Sequence, residues 1–148
     1  MLLIRPITLN DFDEVSALIR EVADKYLYNE FTEEGKHNFL KSVTGEGLVN
    51  NVNNGFEYSV ALEDNEIVAV IAFKNISHLY NLFVKEDFQG RGIGRALWEE
   101  ATKNKKVAKH TVFASSYAEP IYKKLGFVRS GEPSFEGGIY CIPMTKVN

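Results

Sequence analysis

Apolar residues open the chain as a short run, Leu2-Leu3-Ile4, which Pro6 ends; this reads as a strand. Thr8-Leu9-Asn10-Asp11 is a capping-box pattern, and Phe12, Val15, Leu18, Ile19 and Val22 follow at helical spacing. Thr32 is placed to cap a second helix with Phe39, Leu40 and Val43 on one face. The stretch Asn50-Asn51-Val52-Asn53-Asn54-Gly55 reads as a turn or loop. From Phe56 to Glu63 the pattern alternates as in a half-buried strand. Asp64-Asn65 makes a tight turn, and Ile67 to Phe73 is continuously apolar, as in the middle of a sheet covered on both faces. Leu79 to Val84 is a further strand.

Helical spacing returns at Ile93, Leu97, Trp98 and Ala101, with Glu99 and Lys103 expected to pair at i,i+4 on the wet side. Thr111 to Ala114 is strand-like, and Tyr117 to Leu125 is a short helix stopped by Gly126. Phe127 to Val128 and Ile139 to Met144 read as closing strands. The expected order is β-α-α-β-β-β-α-β-α-β-β, a mixed α/β domain on one sheet that takes in residues 1–148.

Composition narrows the classes. A hydrophobic fraction of 45% with 10 Phe, 7 Tyr and 1 Trp is enough for a sizeable core, which excludes a disordered chain or a disulfide scaffold. The formal net charge is −3, without the basic excess of a nucleic-acid binder. Cys141 is the single cysteine and fits a reducing compartment; we read it as a packed small hydrophobe. The longest apolar run, Ile67 to Phe73, is far short of a membrane span, and the start lacks the basic region of a signal peptide. The expectation is a soluble cytoplasmic protein. His37, His78 and His110 are scattered, with no H-E-x-x-H or C-x-x-C, so no metal site is expected; no G-x-S-x-G elbow occurs either.

The most informative segment runs Leu82-Phe83-Val84-Lys85-Glu86-Asp87-Phe88-Gln89-Gly90-Arg91-Gly92-Ile93-Gly94-Arg95. It is a strand, a loop and a glycine-rich turn that opens a helix. The first turn of a helix leaves N–H groups without partners and carries partial positive charge, and glycines let a phosphate approach them. Arg91 and Arg95 add charge suited to a pyrophosphate or ribose phosphate. The spacing is not that of a dinucleotide fingerprint, because Arg95 and Leu97 stand where its last glycine belongs. Nor is it a P-loop, since no Gly-Lys-[Ser/Thr] occurs. Taken alone, the segment also fits a helix start with glycines for turn geometry only.

The second segment is Ser115-Ser116-Tyr117-Ala118-Glu119-Pro120-Ile121-Tyr122-Lys123-Lys124-Leu125-Gly126-Phe127. Ser116 with Glu119 offers a capping box, or the helix begins at Pro120 with Glu119 as its cap. Either way Tyr122 lies in a short helix. Its hydroxyl, with an ordinary pKa near 10, can protonate a departing anion, although most such tyrosines simply pack.

Together, Gln89-x-x-Gly92-x-Gly94 at a strand-to-helix junction and Tyr122-x-x-x-Gly126-Phe127 after a further strand resemble the GNAT superfamily of N-acetyltransferases. Ile4-Arg5-Pro6 before a helix and the ending Gly138-Ile139-Tyr140-x-Ile142-Pro143-Met144 are similar to parts of small bacterial members. The resemblance implies acetyl-coenzyme A as co-substrate, no metal, and an amine acceptor. It implies that Gln89, Gly90, Arg91, Gly92, Ile93 and Gly94 hold the pyrophosphate through main-chain N–H groups, assisted by Arg95. Main-chain groups of Leu82, Phe83 and Val84 would meet the pantetheine arm in a splay between that strand and Thr111–Ala114. Tyr122 would protonate the leaving thiolate, and a main-chain N–H of Val84 or a neighbour would stabilise the oxyanion. Many members carry an Asn before the tyrosine helix; here Ser115 is expected in its place.

The general base stays open among His78, Glu63, Glu66, Glu132, Glu136 and a water chain. Tyr26, Tyr28, Asn29, Glu30 and Phe31 form an aromatic and polar cluster that suits a cationic amine, or else caps the core. Lys103, Lys105, Lys106 and Lys109 suit a helix end and solvent. A non-catalytic acyl-coenzyme A sensor is the competing reading, and a modifier of charged RNA is disfavoured by the acidic balance. A homodimer would be ordinary for such a domain.

Overall fold

The apolar run from Ile67 becomes the central strand, buried at every position except its first residue. The computed structural model describes residues 1–148. Its strands are β1 (Leu2–Pro6), β2 (Glu57–Glu63), β3 (Glu66–Phe73), β4 (His78–Val84), β5 (Lys109–Ala114), β6 (Val128–Arg129), β7 (Ser134–Glu136) and β8 (Ile139–Val147). The helices are α1 (Phe12–Tyr26), α2 (Glu33–Ser42), α3 (Gly45–Asn53), α4 (Ile93–Thr102) and α5 (Glu119–Leu125). The sheet order is β1-β2-β3-β4-β5-β8-β6, with β7 paired to β8. All pairs are antiparallel except β4–β5, which is parallel. This is the mixed α/β sheet expected from the sequence.

Two apolar cores fill the two faces of the sheet. Val15, Leu18 and Ile19 of α1 and Leu48 of α3 pack on Val60 and Val70. On the other face Leu97 and Trp98 of α4 and Tyr122 and Leu125 of α5 pack on Ile71, Leu79, Val112 and Phe127. The start of α1 is fixed by Asp11, whose carboxylate accepts from the Thr8 N–H at 2.7 Å and from Arg5 at 2.7 and 3.1 Å. The Arg5 guanidinium holds the Asp11 carboxyl down at about 2. Asp64 and Asn65 both adopt positive φ, as a two-residue hairpin turn requires.

Four local expectations are corrected. Asn50–Asn53 belong to α3: Thr44 caps it by accepting from the Gly47 N–H at 3.0 Å, and Leu48 is fully buried. Burial of the Leu48, Val49 and Val52 face overrides the weak helix propensity of asparagine. Lys103 pairs with Glu100 at 2.6 Å, not Glu99, since i,i+3 is as near a neighbour as i,i+4. Strand β7, three exposed residues, has no hydrophobic pattern to announce it. The capping box at Ser116 does not form: α5 begins at Glu119, Ser115 Oγ accepts from the Ala118 N–H, and Ser116 bonds Glu30.

Two departures from a regular sheet shape the middle of the molecule. Ala72 pairs with Asn81 and Phe73 with Leu79, so Tyr80 is an extra residue bulged into β4. Only His78↔Thr111 and Leu79↔Val112 join β4 to β5. Beyond Leu79, β4 stays with β3 and β5 stays with β8, and the two strands part. No helix is long and apolar enough to cross a membrane.

Candidate active site

The parting of β4 from β5 opens a cleft of about 960 Å³. It is lined by β4 from His78 to Val84, by the glycine-rich turn, by Ser115 to Leu125, and by Leu27, Phe31 and Phe39 from the α1–α2 side. Hydrogen bonding along β4 settles which main-chain groups face it. The Lys85 N–H donates to Val68 O, so Phe83 points its main chain at β3. Leu82 and Val84 therefore turn theirs to the gap, where the Val84 carbonyl accepts from Gln89 Nε2 at 2.9 Å. Of the three β4 residues expected to offer main chain, Phe83 is the exception. It lends the cleft its side chain, on the α1 face.

At the same end of the cleft, Gly90 and Gly92 have φ of 78° and 79°, a region that glycine enters freely. No protein group accepts from the N–H groups of Gly90, Arg91, Gly92, Ile93, Gly94 or Arg95; the first bond of α4 runs from Ala96 to Gly92 O. A Cβ at Gly94 would meet only Val84 and Leu82 side-chain atoms, at 3.8 and 3.9 Å. Packing within the protein does not require glycine there, and its absent side chain leaves the helix start open to an anion. Gln89 spends its side chain internally: besides bonding Val84 O, it accepts from the Tyr117 hydroxyl at 2.8 Å. Arg95 donates to Lys124 O at 2.7 Å, tying α4 to the end of α5, and lines the cleft. Arg91 does not line it; its guanidinium lies over the Phe88 ring, 4.9 Å from the centroid.

Tyr122 is 4% exposed and lines the cleft. Burial pushes its hydroxyl above the ordinary tyrosine range, so it stays protonated at any physiological pH. The turn after it fixes its position. Gly126 has φ 106° and the Phe127 N–H donates to Tyr122 O at 3.0 Å, a left-handed helix stop. Ser115 lines the cleft at the start of the same segment, its hydroxyl oxygen already accepting from Ala118.

The opposite half of the cleft is built from the first third of the chain and the β7–β8 turn. Thr32 donates its N–H to Gly138 O at 2.8 Å, Asn38 donates to Gly137 O at 3.3 Å, and Phe31 bridges to Ile139. A Cβ on Gly35 would fall 2.0 Å from Gly138 O, so the first turn of α2 lies directly on that turn. The cluster from Tyr26 to Phe31 is largely spent on such joints. Tyr26 stacks on Tyr117 with centroids 4.2 Å apart, and the Glu30 carboxylate accepts from the Ser116 N–H and hydroxyl. Phe31 alone of the five lines the cleft. Among the candidate bases, His78 and Glu136 line it; Glu63, Glu66 and Glu132 do not. Glu63 pairs with the terminal amine and Glu66 with Lys85. Burial, with Lys74 nearby, lowers the His78 pKa and keeps its ring neutral at pH 7.

A family model described as an acetyltransferase (GNAT) domain matches residues 27–148. The chain belongs to the GNAT acetyltransferase family. No curated protein matches it by sequence. Among solved structures, the GNAT fold is shared with the PaiA N-acetyltransferase of Thermoplasma acidophilum, solved in complex with coenzyme A. The TM-score is 0.82 at 21% identity, over 100% of this chain and 99% of that one. A GCN5-related N-acetyltransferase of Rhodopseudomonas palustris gives 0.83 at 20% identity, over 99% and 95%. The apo form of YjaB from Escherichia coli gives 0.78 at 22%, over 99% and 98%.

This GNAT cleft also holds residues the sequence did not single out. Tyr117 joins the glycine-rich turn to α1 through Gln89 and Tyr26. Asn81 lies 8% exposed on the bulged part of β4. The pairing register alone exposes its position, because in an unbroken strand it would fall on the α4 face with Leu79.

Proposed function

We propose that residues 1–148 form one acetyltransferase unit that moves an acetyl group from acetyl-coenzyme A directly to an amine. The observation that carries this is the coincidence, at one end of one cleft, of an unpaired β4 edge with six unpartnered N–H groups. An extended amide arm suits the first and a pyrophosphate the second. Gly90 to Gly94 and Arg95 receive the pyrophosphate, Leu82 and Val84 the pantetheine arm, with Ser115 on the facing wall. Arg91 contributes its N–H rather than its guanidinium.

The neutral amine attacks the thioester carbonyl. The C–N bond forms as the carbonyl π electrons move to oxygen, and an N–H on the gap-facing edge of β4, at Leu82 or Val84, meets the oxyanion. Collapse breaks the C–S bond, and Tyr122, held neutral by burial, gives its proton to the thiolate. The amine's proton leaves through water, and water returns a proton to the Tyr122 phenolate. With Tyr80 bulged out, His78 stands three paired positions, roughly 10 Å, along β4 from Leu82, so a water molecule is needed to carry the proton between its ring and the reacting nitrogen.

Isothermal titration with acetyl-coenzyme A tests the donor site, with Gly92→Glu as the control that blocks it. Thiol release on adding amines then separates an enzyme from a sensor. Tight binding with no release from any amine would favour the sensor, and no binding to folded protein would end the proposal.

A further inference from the structure

The acceptor half of the cleft contains one polar group the protein leaves unserved. Asn81 is more than nine-tenths buried and lines the cleft, and its side chain makes no hydrogen bond; its Nδ2 is sealed from solvent without a partner. A buried amide donor in that condition costs desolvation that an apolar side chain would avoid. The backbone does not require it, because the bulge is at Tyr80 and the Asn81 pairing with Ala72 uses main chain only. The bulge places Asn81 on the α1–α2 face, one residue before Leu82. The same face of the cleft is walled by Phe31, Phe39, Tyr80 and Phe83. Its charges are sparse: Glu136 is the one carboxylate lining the cleft, against Lys74, Arg95 and Lys124.

We infer that Asn81 is a specificity-determining residue whose amide donates to a carbonyl of the acceptor, and that the acceptor is a compact primary amine on an apolar body, not a polyamine. The inference rests on the acetyltransferase reading. The terminal torsion of Asn is soft and two-fold, so the amide turns its NH₂ toward a carbonyl held in the cleft without moving β4. Aromatic walls take the apolar body, and a wall with a single carboxylate has little to offer two or three ammonium groups.

The test uses the full chain, acetyl-coenzyme A and three amines: phenylalaninamide, phenethylamine, which lacks the carbonyl, and spermidine. Phenylalaninamide is expected to have the highest kcat/KM. In Asn81→Leu its advantage over phenethylamine should shrink about tenfold or more. The same variant should melt at or above the wild-type temperature, since it removes an unpaired buried donor; a structural asparagine would instead lower it. A preference for spermidine, or an amide advantage unchanged in Asn81→Leu, overturns the inference. So does acetyl-coenzyme A binding with neither aromatic amine acetylated, which leaves the donor site standing. Failure to bind acetyl-coenzyme A at all overturns the acetyltransferase reading and this inference with it.

Discussion

Gly35→Ala sets local propensity against tertiary contact. Gly35 lies in the first turn of α2, and by helix propensity alone the change should stabilise by about 0.5–1 kcal/mol. The structure demands the opposite sign. The new Cβ would fall 2.0 Å from Gly138 O and 2.4 Å from its carbonyl carbon, and both are backbone. Contact at about 3.5 Å needs a shift of some 1.5 Å between α2 and the β7–β8 turn. Such a shift breaks the Thr32 N–H bond to Gly138 O and the Asn38 bond to Gly137 O. Two hydrogen bonds at about 0.5–1.5 kcal/mol each, with strain of about 1–3 kcal/mol, outweigh the propensity gain. A net loss of about 2–3 kcal/mol lowers Tm by roughly 4–12 °C in a chain of this size. Calorimetry on Gly35→Ala reads the sign directly, and titration with acetyl-coenzyme A shows whether the donor end is spared, as its residues lie elsewhere. A Tm equal to or above wild type would refute the placement of α2 on the β7–β8 turn.

Three further outcomes follow from the geometry. Tyr122→Phe should lower kcat by about 10²–10⁴-fold in steady-state assays, with the Kd for acetyl-coenzyme A nearly unchanged, because only the proton donor is lost. Gly92→Ala should weaken acetyl-coenzyme A binding about tenfold by titration, since a φ of 79° costs a side chain about 1–2 kcal/mol and the turn relaxes away from the phosphate. Asp11 has its folded pKa lowered from 3.8 to about 2, so it contributes stability above pH 4 that is lost as pH falls from about 5 toward 2. The shift corresponds to roughly 2 kcal/mol, and urea unfolding at pH 7 and pH 3 should show a smaller difference in Asp11→Asn than in wild type.

Patterns confined to one stretch of chain were legible in the sequence. The glycines from Gly90 to Gly94 announce the turn because positive φ leaves a mark on composition, and Gly126 announces the stop that fixes Tyr122 for the same reason. The apolar run at β3 declares a strand covered on both faces. What the sequence hides are relations between distant segments. Nothing near Gly35 signals its approach to Gly138, a hundred residues away. The loss of pairing between β4 and β5 depends on two registers at once. Asn81 reads as an ordinary strand residue until the bulge at Tyr80 moves it to the other face. Arg91 has the right charge and the wrong direction, because Phe88 offers its guanidinium a ring to lie on. Helix α3, with two Gly and three Asn among its nine residues, shows that a buried Leu48 outranks local propensity.

The parting of β4 from β5 has a cost beyond catalysis. Strand edges normally occur at the rim of a sheet, where charge, proline or short length protects them. Here two face each other in the interior, with apolar walls on either side. An empty slot of this shape is a template for any extended segment, including one from an unfolding copy of the same chain, to insert as an extra strand. On the proposed function, the pantetheine arm is the guest that denies it. Ligand occupancy therefore guards colloidal stability as well as raising the melting point by mass action. A preparation stripped of its coenzyme should aggregate on warming before one that keeps it.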